Sequence, residues 1–149
     1  MTQLNLPPYN YKTKIEDGKN YIWDIIRKQF LVLTPEEHVR QCFLNYMIMY
    51  LGYPQGLMAV EYPLKFNGMN RRGDIVVFSK QRNPALIVEC KAPGVKITNA
   101  VFEQIARYNM ILKVEYLVVT NGLNHYACKI DFENRSYSFI KEIPHYKLL

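Results

Sequence analysis

Few residues in this chain suit a soft metal or a covalent staple. Cys42, Cys90 and Cys128 are widely spaced, odd in number and include no CxxC pair. Reduced, mostly buried thiols are therefore expected instead of a disulfide frame or a zinc knuckle. His38, His125 and His145 are just as scattered and have no HxxxH partner, which argues against a histidine metal site. No apolar run reaches the roughly 20 residues needed to cross a bilayer. MTQLNLPPYNYKTK at the N-terminus has no apolar signal core after its charges. A cytoplasmic protein with no membrane partner is the expectation. Internal repeats, low-complexity tracts and linkers are also missing. One domain is expected over residues 21–149, behind a polar arm at 1–20 that carries Pro7-Pro8 and no periodicity.

With 49% hydrophobic and 21% charged residues, the composition is that of a folded domain and not a disordered one. A length of 149 residues suffices for one core. The formal charge is +6. That sign is compatible with a polyanionic partner, because basic side chains gain by displacing phosphate counterions. Many basic domains nevertheless bind no nucleic acid.

Local signals order the chain as helix, three strands, helix, strand and a closing hairpin. Residues 21–33 mix apolar and charged types and suit either a helix or a strand followed by a turn, with a strand-like segment packed on the core preferred. LTPEEHVRQ opens a helix: Thr34 suits the N-cap, Pro35 the first helical position and Glu37 the reciprocal capping position. Val39, Phe43, Tyr46 and Tyr50 recur at helical spacing until Gly52 stops it. Strands are expected at 59–66, 74–78 and 85–91, separated by the turn-rich NGMNRRG and SKQRNP. A second helix is expected over 99–112, followed by strands at 115–120, 126–132 and 137–140. This order defines an α/β domain with a central mixed sheet.

The chemistry is concentrated in RRGDIVVFSKQRNPALIVECKAP, residues 71–93. Residues two apart on a strand share a face, so Glu89 and Lys91 project together while Cys90 points the other way. Folding the flanking runs about SKQRNP, with the midpoint between Gln81 and Arg82, sets Asp74 opposite Glu89, roughly 5 Å apart at Cβ. Two carboxylates that close on a buried sheet repel unless a proton or a cation lies between them. A hard divalent cation resolves the conflict, and Mg2+ takes one or two carboxylates together with waters and phosphate oxygens. Mn2+ is the expected substitute, and the Cys90 carbonyl is a third candidate oxygen. Lys91 would hold or deprotonate an attacking water and steady the charge that builds on a phosphate. The expected reaction is phosphodiester hydrolysis by a metal-activated water, with no covalent nucleophile. The plain alternative is that Asp74 caps a turn while Glu89 and Lys91 form a surface ion pair. Against it stand two runs that look buried, Ala-Leu-Ile-Val before Glu89 and Ile-Val-Val-Phe after Asp74, and the register that aligns the acids.

Taken together and in this order, TPEEHVRQ, RRGDIVVF, LIVECKAP, EQIARYN and YLVVTNG resemble the N-terminal nuclease domain of type I restriction enzyme restriction subunits, which belongs to the PD-(D/E)xK superfamily. The resemblance runs over about residues 20–125. It implies a restriction-endonuclease-like core of a mixed sheet flanked by helices, a Mg2+ cofactor, DNA as substrate, and Asp74, Glu89 and Lys91 as catalytic residues. Gly73 stands where the family has proline. The resemblance also draws in Gln104 and Tyr108, which match a QxxxY motif that lies beside the site in related nucleases and contacts water or the DNA backbone. The two are four residues apart on one helical face, although a polar residue on an amphipathic helix is ordinarily just solvated. Arg107 between them suits a phosphate and equally suits solvent.

An acid on the first helix completes many such sites. Glu36 and Glu37 are the candidates, and both are also explained as first-turn acids favoured by the helix dipole. Glu37 is preferred because Arg40 and Gln41 share its side of the helix. Arg71 and Arg72, just before Asp74, are the expected grips on phosphates flanking the scissile bond. Lys80 and Arg82 lie at the far end of the hairpin as solubilising charges.

Restriction subunits join this domain to an ATP-driven motor, but no GxxxxGK[ST] phosphate loop occurs here. No nucleotide cofactor is expected, and translocation along DNA would need a motor partner or other restriction-system subunits. A nucleic-acid-binding or docking module that keeps the fold without turnover is the alternative from another class. An RNA-directed nuclease is a third, since no residue here reports on a 2′-hydroxyl.

Overall fold

The computed structural model describes residues 1–66 and 68–149. It begins with a small antiparallel sheet of β1 (Thr13–Glu16), β2 (Lys19–Asp24) and β3 (Gln29–Val32). Next come α1 (Pro35–Tyr50), β4 (Met58–Phe66), β5 (Met69–Phe78), β6 (Pro84–Cys90) and α2 (Asn99–Leu112). The chain closes with β7 (Tyr116–Thr120), β8 (His125–Asp131) and β9 (Ser136–Ile140). β4 through β9 form one sheet in chain order. Its neighbours are antiparallel except β6 and β7, which run parallel because α2 carries the chain back across the sheet. The expected central mixed sheet is present, with a helix on each face.

Each helix starts where the sequence supplies a cap. Thr34 Oγ1 accepts from the Glu37 N–H at 3.0 Å, and Thr98 Oγ1 accepts from the Val101 N–H at 3.2 Å. Both bonds satisfy a donor that the first helical turn leaves open. Val39, Phe43, Leu44 and Met47 of α1 are buried with Ile75, Val77, Leu86, Val88 and Val118 of the sheet. Strand alternation sends the intervening residues to the opposite face. There Phe102, Ile105 and Ala106 of α2 bury Leu117 and Val119, and Leu112 packs with Val76 and Ile87. Burying side chains of this size contributes roughly 1.5–3 kcal/mol each, so packing of the layers outweighs helix propensity in holding them.

Three stretches differ from the sequence reading. Residues 13–16 and 19–20, expected in the polar arm, are strand. β1 is exposed along its whole length, so its pairing rests on backbone bonds and leaves no hydrophobic alternation to read. Leu4 and Leu6 of the same stretch pack on the main core, and the Asn5 N–H donates to the Gly122 carbonyl at 2.8 Å. The strand-like segment at 21–33 is part of two strands with a turn between them, where the Asp24 carboxylate accepts from the Ile26 and Arg27 N–H groups. The expected turn NGMNRRG gives way to strand from Met69 onward, and its Asn67 lies outside the described residues. Among the described residues no helix is long and apolar enough to cross a membrane.

Candidate active site

β5 and β6 pair Ile75 with Val88, Val76 with Ile87 and Val77 with Leu86, the axis expected from a midpoint between Gln81 and Arg82. One step further the register sets Asp74 against Glu89. There the ladder opens, and Asp74 Oδ2 accepts from the Cys90 N–H at 2.7 Å. Asp74 and Glu89 lie close enough for each carboxyl to act on the proton of the other. Lys91 continues the line of β6, donating its N–H to the Thr120 carbonyl at 2.8 Å. Its half-buried side chain exerts its charge on Glu89.

A slip in the pleat gives Asp74 its place. β4 pairs Val60 with Ile75 and Tyr62 with Gly73, so Glu61 is the residue across from Asp74 on that side. Glu61 has φ 51°, the left-handed region that a non-glycine residue enters at a cost of about 1–2 kcal/mol. Val60 and Ile75 pack on the α1 side. Past Glu61 the faces exchange: Tyr62 meets Phe78 edge-on at 5.1 Å, and Leu64 joins Val76 and Ile87 on the α2 side. Gly73 shares that side, where a Cβ would come 2.6 Å from Val76 Cγ2. A side chain at position 73 would therefore require Val76 to shift. Beyond the slip β5 pairs with β4 alone, so the two strands leave the sheet as a ribbon.

Charges from both faces converge on the slip. On the α1 side, Arg40 donates through Nε and Nη2 to Glu37 at 2.9 and 2.5 Å and through Nη1 to Glu61. The same Nη1 stands 3.9 Å from Asp74 Oδ1. Burial alone would loosen the proton of Arg40, but its bonds to Glu37 and Glu61 outweigh that and hold it more firmly. On the α2 side, Arg71 Nη2 donates to Glu89 Oε1, and the guanidinium lies 4.7 Å from the centre of the Tyr108 ring. Burial, and then the charge of Asp74, push Glu89 up to about 8. Burial also raises Asp74, against the pull of the Cys90 N–H, Glu89 and Arg40. The pair thus keeps a proton that separate carboxyls would have released.

Of the expected site residues, Asp74, Glu89, Lys91 and the backbone of Cys90 come together, and Arg71 meets Tyr108. Glu37 is buried and committed elsewhere. Besides Arg40 it accepts from Gln41 Nε2 at 3.1 Å, and Arg27 stands 4.0 Å away, which ties α1 to the small sheet. The polar strip of Arg40 and Gln41 exists, yet Gln41 turns inward and accepts from the Ile25 N–H at 3.2 Å. The exposed Glu36 is the α1 acid that senses the site. Partial burial and the charge of Asp74 raise its pKa, while Arg40 and Lys91 oppose the rise. Gln104 and Arg107 are exposed on α2, and Arg72 is exposed on β5. Sequence reasoning missed Glu61. The signal was there: Asn67-Gly68 is the dipeptide favoured in tight hairpins, and folding about it sets Glu61 across from Asp74.

Among the described residues no group of three or more His, Cys, Asp and Glu side chains is arranged to hold a metal. The donors on offer are two carboxylates and the Cys90 carbonyl, all hard oxygens. The retained proton marks negative charge that a divalent cation would balance in its stead. That donor set fits Mg2+, which keeps several waters and binds substrate oxygens beside one or two carboxylates.

A mixed sheet between two helices, with two acids and a lysine where a ladder opens, defines the restriction-endonuclease-like α/β class. Residues 35–144 match the family of the type I restriction enzyme R protein N terminus, and the chain belongs to that family. Membership places it in a restriction-enzyme, nuclease-related setting. β1 to β3 precede the matched residues. Among solved structures, the fold is similar to a fragment described as an HsdR subunit of a type I restriction enzyme from Vibrio vulnificus YJ016, with a TM-score of 0.54 and 17% sequence identity. The match covers 77% of this chain and 24% of that one, so the chain spans about a quarter of that structure's length. No curated protein sequence matches the chain.

Proposed function

We propose that this chain is a Mg2+-dependent DNA endonuclease domain of a restriction system, working in the cytoplasm with other subunits or a motor protein that supply movement along DNA. The observation that carries the reading is the facing pair Asp74 and Glu89, both raised in pKa, with Lys91 beside them. Asp74, Glu89 and the Cys90 carbonyl would hold Mg2+, or Mn2+ in its place. Bound there, the ion supplies Lewis acidity and neutralises the charge that two carboxylates and a phosphate bring together. Lys91 Nζ donates to the attacking water and to the phosphate oxygen on which charge builds. Glu36 accepts a hydrogen bond from the same water and draws its proton away. Arg71 fixes the Glu89 carboxylate through Oε1, and the Tyr108 ring fixes Arg71 in turn. Gln104, Arg107 and Arg72, all exposed, contact the DNA backbone. No nucleotide takes part.

One observation favours a second reading, a nucleic-acid-binding or docking module without turnover. Arg71 already provides a positive partner for Glu89. Incubating the whole chain with supercoiled plasmid in Mg2+, Mn2+ or EDTA separates the two. Nicked and linear products are expected with either metal, none in EDTA, and none from Lys91→Ala. A wild type that binds DNA with a steep salt dependence yet cuts neither DNA nor RNA with either metal would establish the module instead.

A further inference from the structure

We infer that the ribbon formed by β4 and β5 beyond the slip is a docking surface for duplex DNA, with a pocket at Lys65, Asn70 and Arg72 that takes a backbone phosphate. From Tyr62 to Gly73 the sequence holds three cations, Lys65, Arg71 and Arg72, and no acid. Glu61, the acid at the foot of the ribbon, is paired with Arg40, and Glu89 is paired with Arg71, so the charge the ribbon presents is that of Lys65 and Arg72. Cross-strand pairing joins Pro63 to Arg72, Leu64 to Arg71 and Lys65 to Asn70. Leu64 and Arg71 turn toward the α2 side, one into the apolar cluster and the other onto Tyr108. Alternation puts Pro63, Lys65, Asn70 and Arg72 on the opposite face, where all four are exposed.

These residues line a cavity of about 390 Å3. Arg71 also borders it, while its guanidinium turns to the α2 side, onto Tyr108 and Glu89. The donors match a phosphate: a planar fork from arginine, a point charge from lysine and an amide from Asn70.

The shape selects a duplex. A two-stranded ribbon fits the major groove, which is about 12 Å wide. The ribbon also starts at Asp74. A strand rises about 3.4 Å per residue, so Arg72 lies roughly 7 Å and Asn70 roughly 14 Å along the chain from that carboxylate. With one phosphate per roughly 3.4 Å of axis on each strand, the ribbon would hold the backbone about two to four nucleotides from the bond at the site. Only this spacing rests on the nuclease reading, and the docking surface itself does not.

The test is fluorescence anisotropy of the whole chain with a labelled DNA duplex over a salt series, in EDTA so that no turnover occurs. The Lys65→Gln/Arg72→Gln double variant is expected to lower the slope of log affinity against log salt by about 2, since each phosphate contact contributes about 0.9. A control, Lys80→Gln/Arg82→Gln, removes the same charge from exposed positions at the other hairpin end and is expected to keep the wild-type slope. A ribbon variant with the wild-type slope, or equal losses in both doubles, would overturn the docking surface. If the ribbon slope falls while the wild type cuts nothing in Mg2+, the nuclease reading fails and the docking surface stands. If cleavage occurs and the ribbon slope is unchanged, the docking surface alone fails.

Discussion

Glu89→Gln is expected to abolish metal-dependent cleavage, by at least about a thousandfold, the upper range for loss of one preorganised electrostatic group. The same substitution is expected to stabilise the metal-free protein at alkaline pH, and the two effects share one cause. Burial and the neighbouring Asp74 raise Glu89 from 4.5 to about 8. Between those values the folded protein holds a proton that the unfolded chain has lost. The stability that Glu89 contributes is therefore full below pH 4.5 and declines as pH rises to about 8. Glutamine mimics the protonated form and does not titrate, so its advantage grows across the same window. An advantage of about 1–2 kcal/mol is expected at the alkaline end, less than the pKa change alone implies because Arg71 exchanges a charged acceptor for a neutral one. Thermal melts at acidic and alkaline pH check the sign. Mg2+ should raise the melting temperature of the wild type most at alkaline pH and leave that of the variant nearly unchanged.

Arg40→Met is expected to cost about 3–5 kcal/mol, the usual penalty for removing one partner from a buried ion pair. Arg40 is the cation for more than one acid: it bonds Glu37 and Glu61 and stands close to Asp74. Methionine fills much of the volume but leaves Glu37 buried with only Gln41 and a distant Arg27. It also frees Glu61 from the bond that accompanies its left-handed backbone. Chemical denaturation of the metal-free protein reads this loss. The Arg40→Lys variant should recover only part of it, because a single ammonium cannot reproduce the forked contacts to Glu37 together with the bond to Glu61.

Much of this arrangement was legible before any coordinates, because strand pairing has a fixed period. The runs Ile-Val-Val-Phe and Ala-Leu-Ile-Val sit on either side of one turn, and their pairing leaves little choice for Asp74 and Glu89. Helix 99–112 was legible in the same way, with bounds identical to those observed. What escaped were features set by breaks in periodicity. β1 has no buried face, so its sequence looks like an arm. Glu61 occupies the site through a left-handed residue inside a strand, which no alternation rule anticipates. The sequence favours Glu37 over Glu36 because Arg40 and Gln41 share its side of the helix, whereas burial makes these residues partners of one another.

The most direct test is to soak crystals of the whole chain in Mn2+ and collect anomalous diffraction. The expected result is a peak bound by one oxygen each from Asp74 and Glu89 at about 2.1 Å, with the proton between the two carboxyls displaced. Saturating Mn2+ that leaves no peak between Asp74 and Glu89 would contradict the metal site on which the proposed chemistry depends.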